Sequence, residues 1–296
     1  MKMKIMITGD KGQLGADCKK VFGETHEVLG VDLDEVDITK LTEIELLVQQ
    51  FSPNIIVNCA AYTRVDDCEI EKESAWKANV TGAENLAKCV DKHGGRLIHI
   101  STDYVFDGRK KVPEPYLETD VPNPLSYYGM SKFEGEEAIK RTTDHYIILR
   151  TAWLYGISGH NFLKTMLKLS LRSSDNKIKV VNDQFGSPTW TYRLALQIER
   201  FIETNYRGIF HATAKGYCTW YELAVYFLKK MDVPHTIIPC KTEEYPTPTA
   251  RPMNSILENR NLKEKGMDIM AGWKSDVDKF VLKFREVLLK EIEKET

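Results

Sequence analysis

The first 150 residues alternate short apolar runs with helical stripes, and this alternation restricts the fold more than any other feature. The runs expected to be strands are Lys4–Thr8, Glu27–Val31, Ile55–Asn58, Arg96–Ser101 and Tyr146–Arg150. Between them, Ala83, Leu86, Ala87 and Val90 recur at i, i+3, i+4 and i+7, and Leu41, Ile44, Leu47, Val48 and Phe51 form a second stripe. Strand and helix in turn give a parallel sheet covered by helices on both faces, which binds its ligands beyond the carboxyl ends of the strands. The segment 103–126 breaks the rhythm with Pro113, Pro115, Pro122 and Pro124 and reads as a long ordered loop. Beyond residue 150 the pattern is less regular. Helices are expected at Phe162–Leu171, Arg193–Asn205, Thr219–Lys230 and Val277–Glu293, and short strands near Ile178–Val181, Gly208–His211 and Ile237–Pro239. The chain therefore divides into a sheet domain, 1–152 with returning segments around 178–214, and a smaller α/β lobe, 153–177 and 215–296.

The 296 residues hold 41 Lys+Arg against 43 Asp+Glu, a formal net charge of −2, so long-range attraction to nucleic acid or an anionic membrane is not expected. The first residues, MKMKIMITGD, have too short an apolar run for a signal peptide, and no stretch reaches the roughly 18 apolar residues of a membrane span. Six scattered cysteines with no C-x-x-C pair suit reduced thiols in the cytoplasm, not a zinc site or a disulfide framework.

The first strand runs straight into Gly9-Asp10-Lys11-Gly12-Gln13-Leu14-Gly15, a G-x-x-G-x-x-G that opens a helix. Such glycines let the backbone turn tightly against a pyrophosphate, whose charge is met by the free N–H groups of the helix start. A plain Gly-rich turn has the same glycines, but the preceding strand favours a dinucleotide. The second strand ends at Val31-Asp32, where a carboxylate can accept from the adenosine ribose 2′-OH. An acid there, followed by Leu33 and not Arg, leans toward NADH over NADPH. Asp37 and Ile38 could flank the adenine, Ile38 packing on the ring. The third strand ends in Asn58-Cys59-Ala60-Ala61-Tyr62-Thr63, small enough at Ala60 and Ala61 for close cofactor approach.

Tyr128-Gly129-Met130-Ser131-Lys132 places a phenol and an ammonium on one helix face. A free phenol has a pKa of about 10, and bringing it near 7 needs roughly 4 kcal/mol of differential stabilisation, which a nearby cation favours. The phenol then suits general-acid work on a developing alkoxide. Neighbouring Tyr127 has Ser131 at i+4 and so lacks the cation. Thr102, at the end of the fourth strand in Ser101-Thr102-Asp103, can hydrogen-bond the same substrate oxygen.

With these motifs in this order, the chain resembles the extended short-chain dehydrogenase/reductase family, and within it the reductases of deoxythymidine-diphosphate (dTDP) sugars. The residues that carry the likeness continue past the sheet: STDYVFDG at Ser101–Gly108, LRTAWLYG at Leu149–Gly156, DQFGSPT at Asp183–Thr189, Trp220-Tyr221-Glu222 and YPTPTARPMNS at Tyr245–Ser255. The resemblance implies a Rossmann-type doubly wound sheet, NADH or NADPH as cofactor, and a dTDP-sugar substrate reduced at its C4 ketone, dTDP-4-dehydro-β-L-rhamnose. It implies that Gly12, Gln13 and Leu14 hold the pyrophosphate, with Asp37 and Ile38 near the adenosine and Ala61, Tyr62 and Thr63 along the cofactor. Tyr128 becomes the proton donor, Lys132 the partner of the nicotinamide ribose that lowers the phenol's pKa, and Thr102 and Asp103 the neighbours of the ketone. Trp153 is expected against the hexose. Arg251, whose fork matches phosphate, is expected on the diphosphate. No metal is expected, and a second copy of the chain is the one macromolecular partner left open. A 4,6-dehydratase of the same superfamily carries Asp-Glu after the strand-end Thr, where this chain has Asp103-Tyr104. An epimerase, or a non-catalytic regulatory subunit keeping the fold, is the remaining alternative.

Overall fold

The computed structural model of the chain describes residues 2–172 and 177–294. The first half runs β1 (Lys4–Thr8), α1 (Gln13–Phe22), β2 (Glu27–Val31), α2 (Leu41–Phe51), β3 (Ile55–Asn58), α3 (Lys72–Trp76), α4 (Gly82–His93), β4 (Arg96–Thr102), α5 (Tyr127–Thr142) and β5 (Tyr146–Thr151). The second half runs β6 (Leu154–Tyr155), α6 (Phe162–Arg172), β7 (Lys177–Val181), β8 (Phe185–Gly186), β9 (Thr189–Trp190), α7 (Thr191–Ile202) and β10 (Gly208–His211). It closes with β11 (Cys218–Thr219), α8 (Trp220–Met231), β12 (Thr236–Cys240), β13 (Asn254–Ser255), α9 (Arg260–Glu264) and α10 (Trp273–Lys294).

Six strands form one parallel sheet in the order β10-β5-β4-β3-β1-β2. Chain order reverses between β1 and β3, so the crevice for a ligand opens above that pair. The apolar run of β1 shows why these residues make an interior strand. Ile5 and Ile7 face α1 and α7 on one side, while Met6 faces α2 and α4 on the other, and all three are wholly buried. Full burial contributes about 1.5–3 kcal/mol for each such side chain, which a turn or exposed helix could not recover.

The lobe has its own core, built from α6, α8, α10 and the β7–β12 pair around Leu167, Phe227, Leu228 and Phe280. Helix α8 is started by a capping box: Thr219 accepts from the Glu222 N–H, and Glu222 accepts from the Thr219 N–H. The division between the halves differs from the sequence expectation. Strand β7 pairs with β12 inside the lobe, so residues 178–190 do not return to the sheet. The return begins at α7 and ends with β10, and Leu262 and Met267, expected in the lobe, pack into the sheet's core. Periodicity shows that a segment is a strand; it does not name its partner.

Candidate active site

At the head of β1 the chain turns at Gly9 with φ +72°, a conformation that glycine adopts without strain. A Cβ on Gly9 would lie 2.7 Å from the Ala60 nitrogen, so the ends of β1 and β3 touch at the switch point. A Cβ on Gly15 would fall 2.1 Å from the Gly9 carbonyl oxygen. Gly12 is the N-cap of α1, with no side-chain cap and no acid in the first turn. The first N–H groups of α1 are thus left for an anion, and a dinucleotide pyrophosphate fits this cradle.

The other expected cofactor residues divide. Leu14 is buried in the core beneath the turn, and Gln13 accepts from Asn161 Nδ2 at 3.2 Å, tying the cradle to the lobe. Asp32 is at the end of β2, accepting from the Lys11 N–H at 3.1 Å and the Leu33 N–H at 2.8 Å. The Lys11 ammonium is held by Asp34 and Glu35 beside it. Asp37 accepts from the Thr39 N–H, and the Ile38 side chain turns inward. It is buried among α2 and α4 against Gly82, because the glycine leaves a hole that only an inward side chain fills. The loop through Ala60, Ala61, Tyr62 and Thr63 is braced by Asn79, which accepts from the Tyr62 N–H at 2.8 Å and donates to the Tyr62 carbonyl and to Ser131 Oγ. Asn79 lies in a π-helical turn, Lys77–Thr81, and no local sequence signal marked it.

Helix α5 begins at Ser126, whose hydroxyl accepts from the Gly129 N–H, and it passes so close to the Asp103–Val105 turn that a Cβ on Gly129 would meet the Tyr104 carbonyl at 2.2 Å. The glycine between Tyr128 and Lys132 therefore lets the helix carry both against the end of β4. Further along, Glu136 accepts two bonds from Arg150 on β5, at 2.9 and 2.6 Å, and one from Ser101 on β4. This wholly buried pair sets the height of α5 on the sheet.

Tyr128 and Lys132 are almost fully buried. Burial pushes the phenol's pKa up, and the neighbouring Thr102 hydroxyl opposes it. This differs from the expectation that Lys132 draws the phenol down. The Lys132 ammonium donates instead to the Ile100 carbonyl at 2.8 Å and lies 3.2 Å from His99 Nε2. Its own pKa is pushed down to about 8 by burial. Thr102 donates to Asp103 Oδ1 at 3.0 Å, and burial raises the Asp103 carboxyl to about 6 against the bonds from Ser255 and Thr102. The Tyr104 ring meets Tyr128 edge-on, with centroids 5.4 Å apart.

Tyr104 also lines a cleft of about 260 Å³, together with Trp153, Gln184, Trp220, Arg251, Pro252 and Ser255. Trp153 sits in the left-handed region, φ +49°, stacked on Trp220 with centroids 3.5 Å apart, and Gly186 lies against its edge. Arg251 reaches the cleft with its fork engaged by Asp66 and Tyr104. Tyr104, Trp220 and Ser255 lay in motifs legible in the sequence but were given no place in the site, and Asp66 was not singled out at all; each is brought in by a contact between distant segments. Among the described residues, no three His, Cys, Asp or Glu side chains converge as metal ligands, and no helix is long and apolar enough to cross a membrane.

Fold and site together define a class, the Rossmann-type oxidoreductases that pair a tyrosine and a lysine one helical turn apart beside a strand-end hydroxyl. Comparison with known proteins narrows this. Residues 3–286 match the family described as RmlD substrate binding domain, and the chain belongs to that family. It is similar to the dTDP-4-dehydrorhamnose reductase of Aggregatibacter actinomycetemcomitans, 38% identical over 88% of this chain and 92% of that protein. It is equally similar, at 38% identity over 89% of this chain and 92% of that protein, to the spore coat polysaccharide biosynthesis protein SpsK of Bacillus subtilis. Among solved structures, the dTDP-4-dehydrorhamnose reductase of Bacillus anthracis in complex with NADP superposes with a TM-score of 0.92 at 37% identity, over 96% of this chain and all (100%) of that one.

Proposed function

We propose that this chain reduces the C4 ketone of dTDP-4-dehydro-β-L-rhamnose to give dTDP-β-L-rhamnose, with NADH or NADPH as reductant. One observation carries the reading: a buried phenol, beside the strand-end Thr102 and one turn from Lys132, stands at the carboxyl end of the sheet near a cleft between the two halves. The relatives named as dTDP-4-dehydrorhamnose reductases support the substrate. The nicotinamide, when bound, supplies the hydride that adds to C4. Tyr128 gives its proton to the alkoxide oxygen, and its raised pKa means the phenol holds that proton at neutral pH. Thr102 holds the same oxygen in line with the phenol. Lys132 places a cation beside the phenolate that forms, where a low-dielectric site makes it count for more than in water. Gly12 makes the turn, its N–H held by the Gly9 carbonyl, Gln13 and Leu14 supply backbone N–H groups to the pyrophosphate, and Asp32 accepts from the adenosine ribose.

Tyr104 argues against dehydration, since it occupies the position after Asp103 where elimination needs a second carboxyl group. Trp153, held rigid between Trp220 and Gly186, forms an apolar wall for the hexose. Arg251 meets the diphosphate once it leaves Asp66. NADH is the preferred reductant, because a 2′-phosphate would enter beside Asp32, Asp34 and Glu35. The six free cysteines and the nicotinamide reductant suit the reducing cytoplasm. The test is oxidation of NADH and of NADPH followed at 340 nm with dTDP-4-dehydro-β-L-rhamnose, and with its D-hexose 4-ketone counterpart as control. No oxidation with the rhamnose ketone, or faster oxidation with the control, overturns the assignment.

A further inference from the structure

Three polar side chains stand side by side on β1, β3 and β4. Thr8 pairs in register with Asn58, and Asn58 with His99, so all three face the same side of the parallel sheet. Each is about 1% exposed. Asn58 Oδ1 accepts from the Ala60 N–H at 3.1 Å and from the Thr8 hydroxyl at 2.8 Å. A backbone N–H can only donate, so it fixes which end of the Asn58 amide is oxygen. The amide nitrogen then lies 2.9 Å from His99 Nδ1 and donates to it. Nδ1 is therefore the bare nitrogen of the ring. Burial holds the imidazole far below its ordinary pKa, so it is neutral and its single proton is on Nε2. That proton points at Lys132 Nζ, 3.2 Å away.

An ammonium has no lone pair to receive it. An amine has one, and the amine form satisfies every group: the lone pair accepts from His99 Nε2–H, one N–H donates to the Ile100 carbonyl, and one N–H remains for a ligand. The titratable groups that act on Lys132 are His99 on β4, Cys59 beyond β3 and Glu136 on α5 itself, with Tyr128 one turn back on the same helix; Cys59 and Glu136 favour the charged lysine, and Glu136 is already committed to Arg150.

We propose that Asn58 and His99 are positioning residues that set the proton affinity of Lys132, by presenting it with a donor and so stabilising its amine form. Lys132 is then a proton carrier poised near neutrality, not a permanently fixed cation. On the assigned reduction, which this inference rests on for its role in turnover, the phenolate left by Tyr128 recovers a proton from the Lys132 ammonium. The amine so formed is the state His99 favours, and a proton from water restores the ammonium.

The test reads the protons directly. In protein labelled with ¹⁵N-histidine, with the His99 signal assigned by its loss in His99→Gln, Nε2 carries the proton and Nδ1 is bare. In ε-¹³C-lysine protein, with Lys132 assigned by Lys132→Arg, that lysine titrates at least tenfold more readily than the exposed lysines. Asn58→Asp keeps the acceptor for Ala60 and Thr8 but reverses the contact to His99; it moves the ring proton to Nδ1 and raises the Lys132 midpoint, and with it the alkaline limb of kcat, by at least one pH unit. A wild-type proton on Nδ1, or a Lys132 midpoint matching the surface lysines, overturns the proposal. Both readings are made on the resting protein, so they stand or fall separately from the substrate assignment.

Discussion

Arg251 Nη2 lies 2.7 Å from Asp66 Oδ2, so a loop of the lobe is strapped to the loop that follows β3. The strap is reinforced where Thr249 donates from its N–H to Asp66 and from its hydroxyl to the Val65 carbonyl. The guanidinium expected on the substrate's diphosphate is thus shared with a carboxylate from the other half of the molecule. A partly exposed pair of this kind contributes no more than about 1 kcal/mol to stability, so a phosphate can compete for the fork. Arg251→Ala is expected to raise KM for the nucleotide sugar about ten- to a hundredfold with kcat little changed, from the loss of a charged bond of ~1.5–3 kcal/mol. Steady-state kinetics check this; an unchanged KM would reduce Arg251 to a strap.

Tyr128→Phe removes the transferable proton and leaves the ring's packing. Loss of a general acid lowers kcat by roughly 10²–10⁴. The dissociation constant for NADH, followed by fluorescence, stays within a few-fold of wild type. Thr102→Val is expected to cost less, about tenfold in kcat, as befits one neutral hydrogen bond.

Asp103 gives stability a distinctive pH dependence. Its carboxyl is raised by burial to about 6 in the folded chain, so the folded state holds the proton more tightly than the unfolded chain does. The contribution to stability is full below pH 4 and is lost as pH rises through 6. Asp103→Asn has no charge to bury, and it is expected to unfold at higher urea than wild type at pH 7.5, by up to roughly 3 kcal/mol, with no gain at pH 4. Equal gains at both pH values would refute this origin.

Glu136→Ala leaves Arg150 charged and buried without its partner. Breaking such a pair costs about 3–5 kcal/mol. By contrast, Glu137→Ala, which removes the partly exposed partner of Lys140, is expected to cost under about 1 kcal/mol. Denaturant titration of both variants makes the comparison.

Asp32→Ala is expected to narrow a preference for NADH over NADPH, with KM for NADPH falling while KM for NADH rises. If both move together, the carboxylate is not what discriminates the 2′-phosphate.

The sheet was legible because interior parallel strands must be apolar on both faces, as Ile5, Met6 and Ile7 are. The glycine cradle was legible because Gly9 and Gly15 leave no room for a Cβ, a requirement that shows as residue type. The inward turn of Ile38 was not legible because apolar character alone does not say which way a side chain points; Gly82, in another helix, decides that. The pairing of β7 with β12 and the hold of Asp66 on Arg251 depend on contacts between segments far apart in the chain. Asn58 and His99 look like ordinary strand residues until register puts them side by side. Local signals thus marked the candidate groups, and the third dimension gave the side chains that surround them.

The sheet is completed by β10, a strand contributed only after the chain has entered the lobe, and α7, just before it, packs beside α1 on the same face. The polypeptide is stitched back and forth between its two halves. A lobe threaded in this way is not a cassette: no single cut releases it, and a fragment ending after β5 would expose Phe22 and Ile147, which lose the cover of α7. Exchange of sugar specificity among such proteins by splicing one contiguous segment is closed to this architecture. It must proceed residue by residue within the cleft, while the cofactor half is inherited whole.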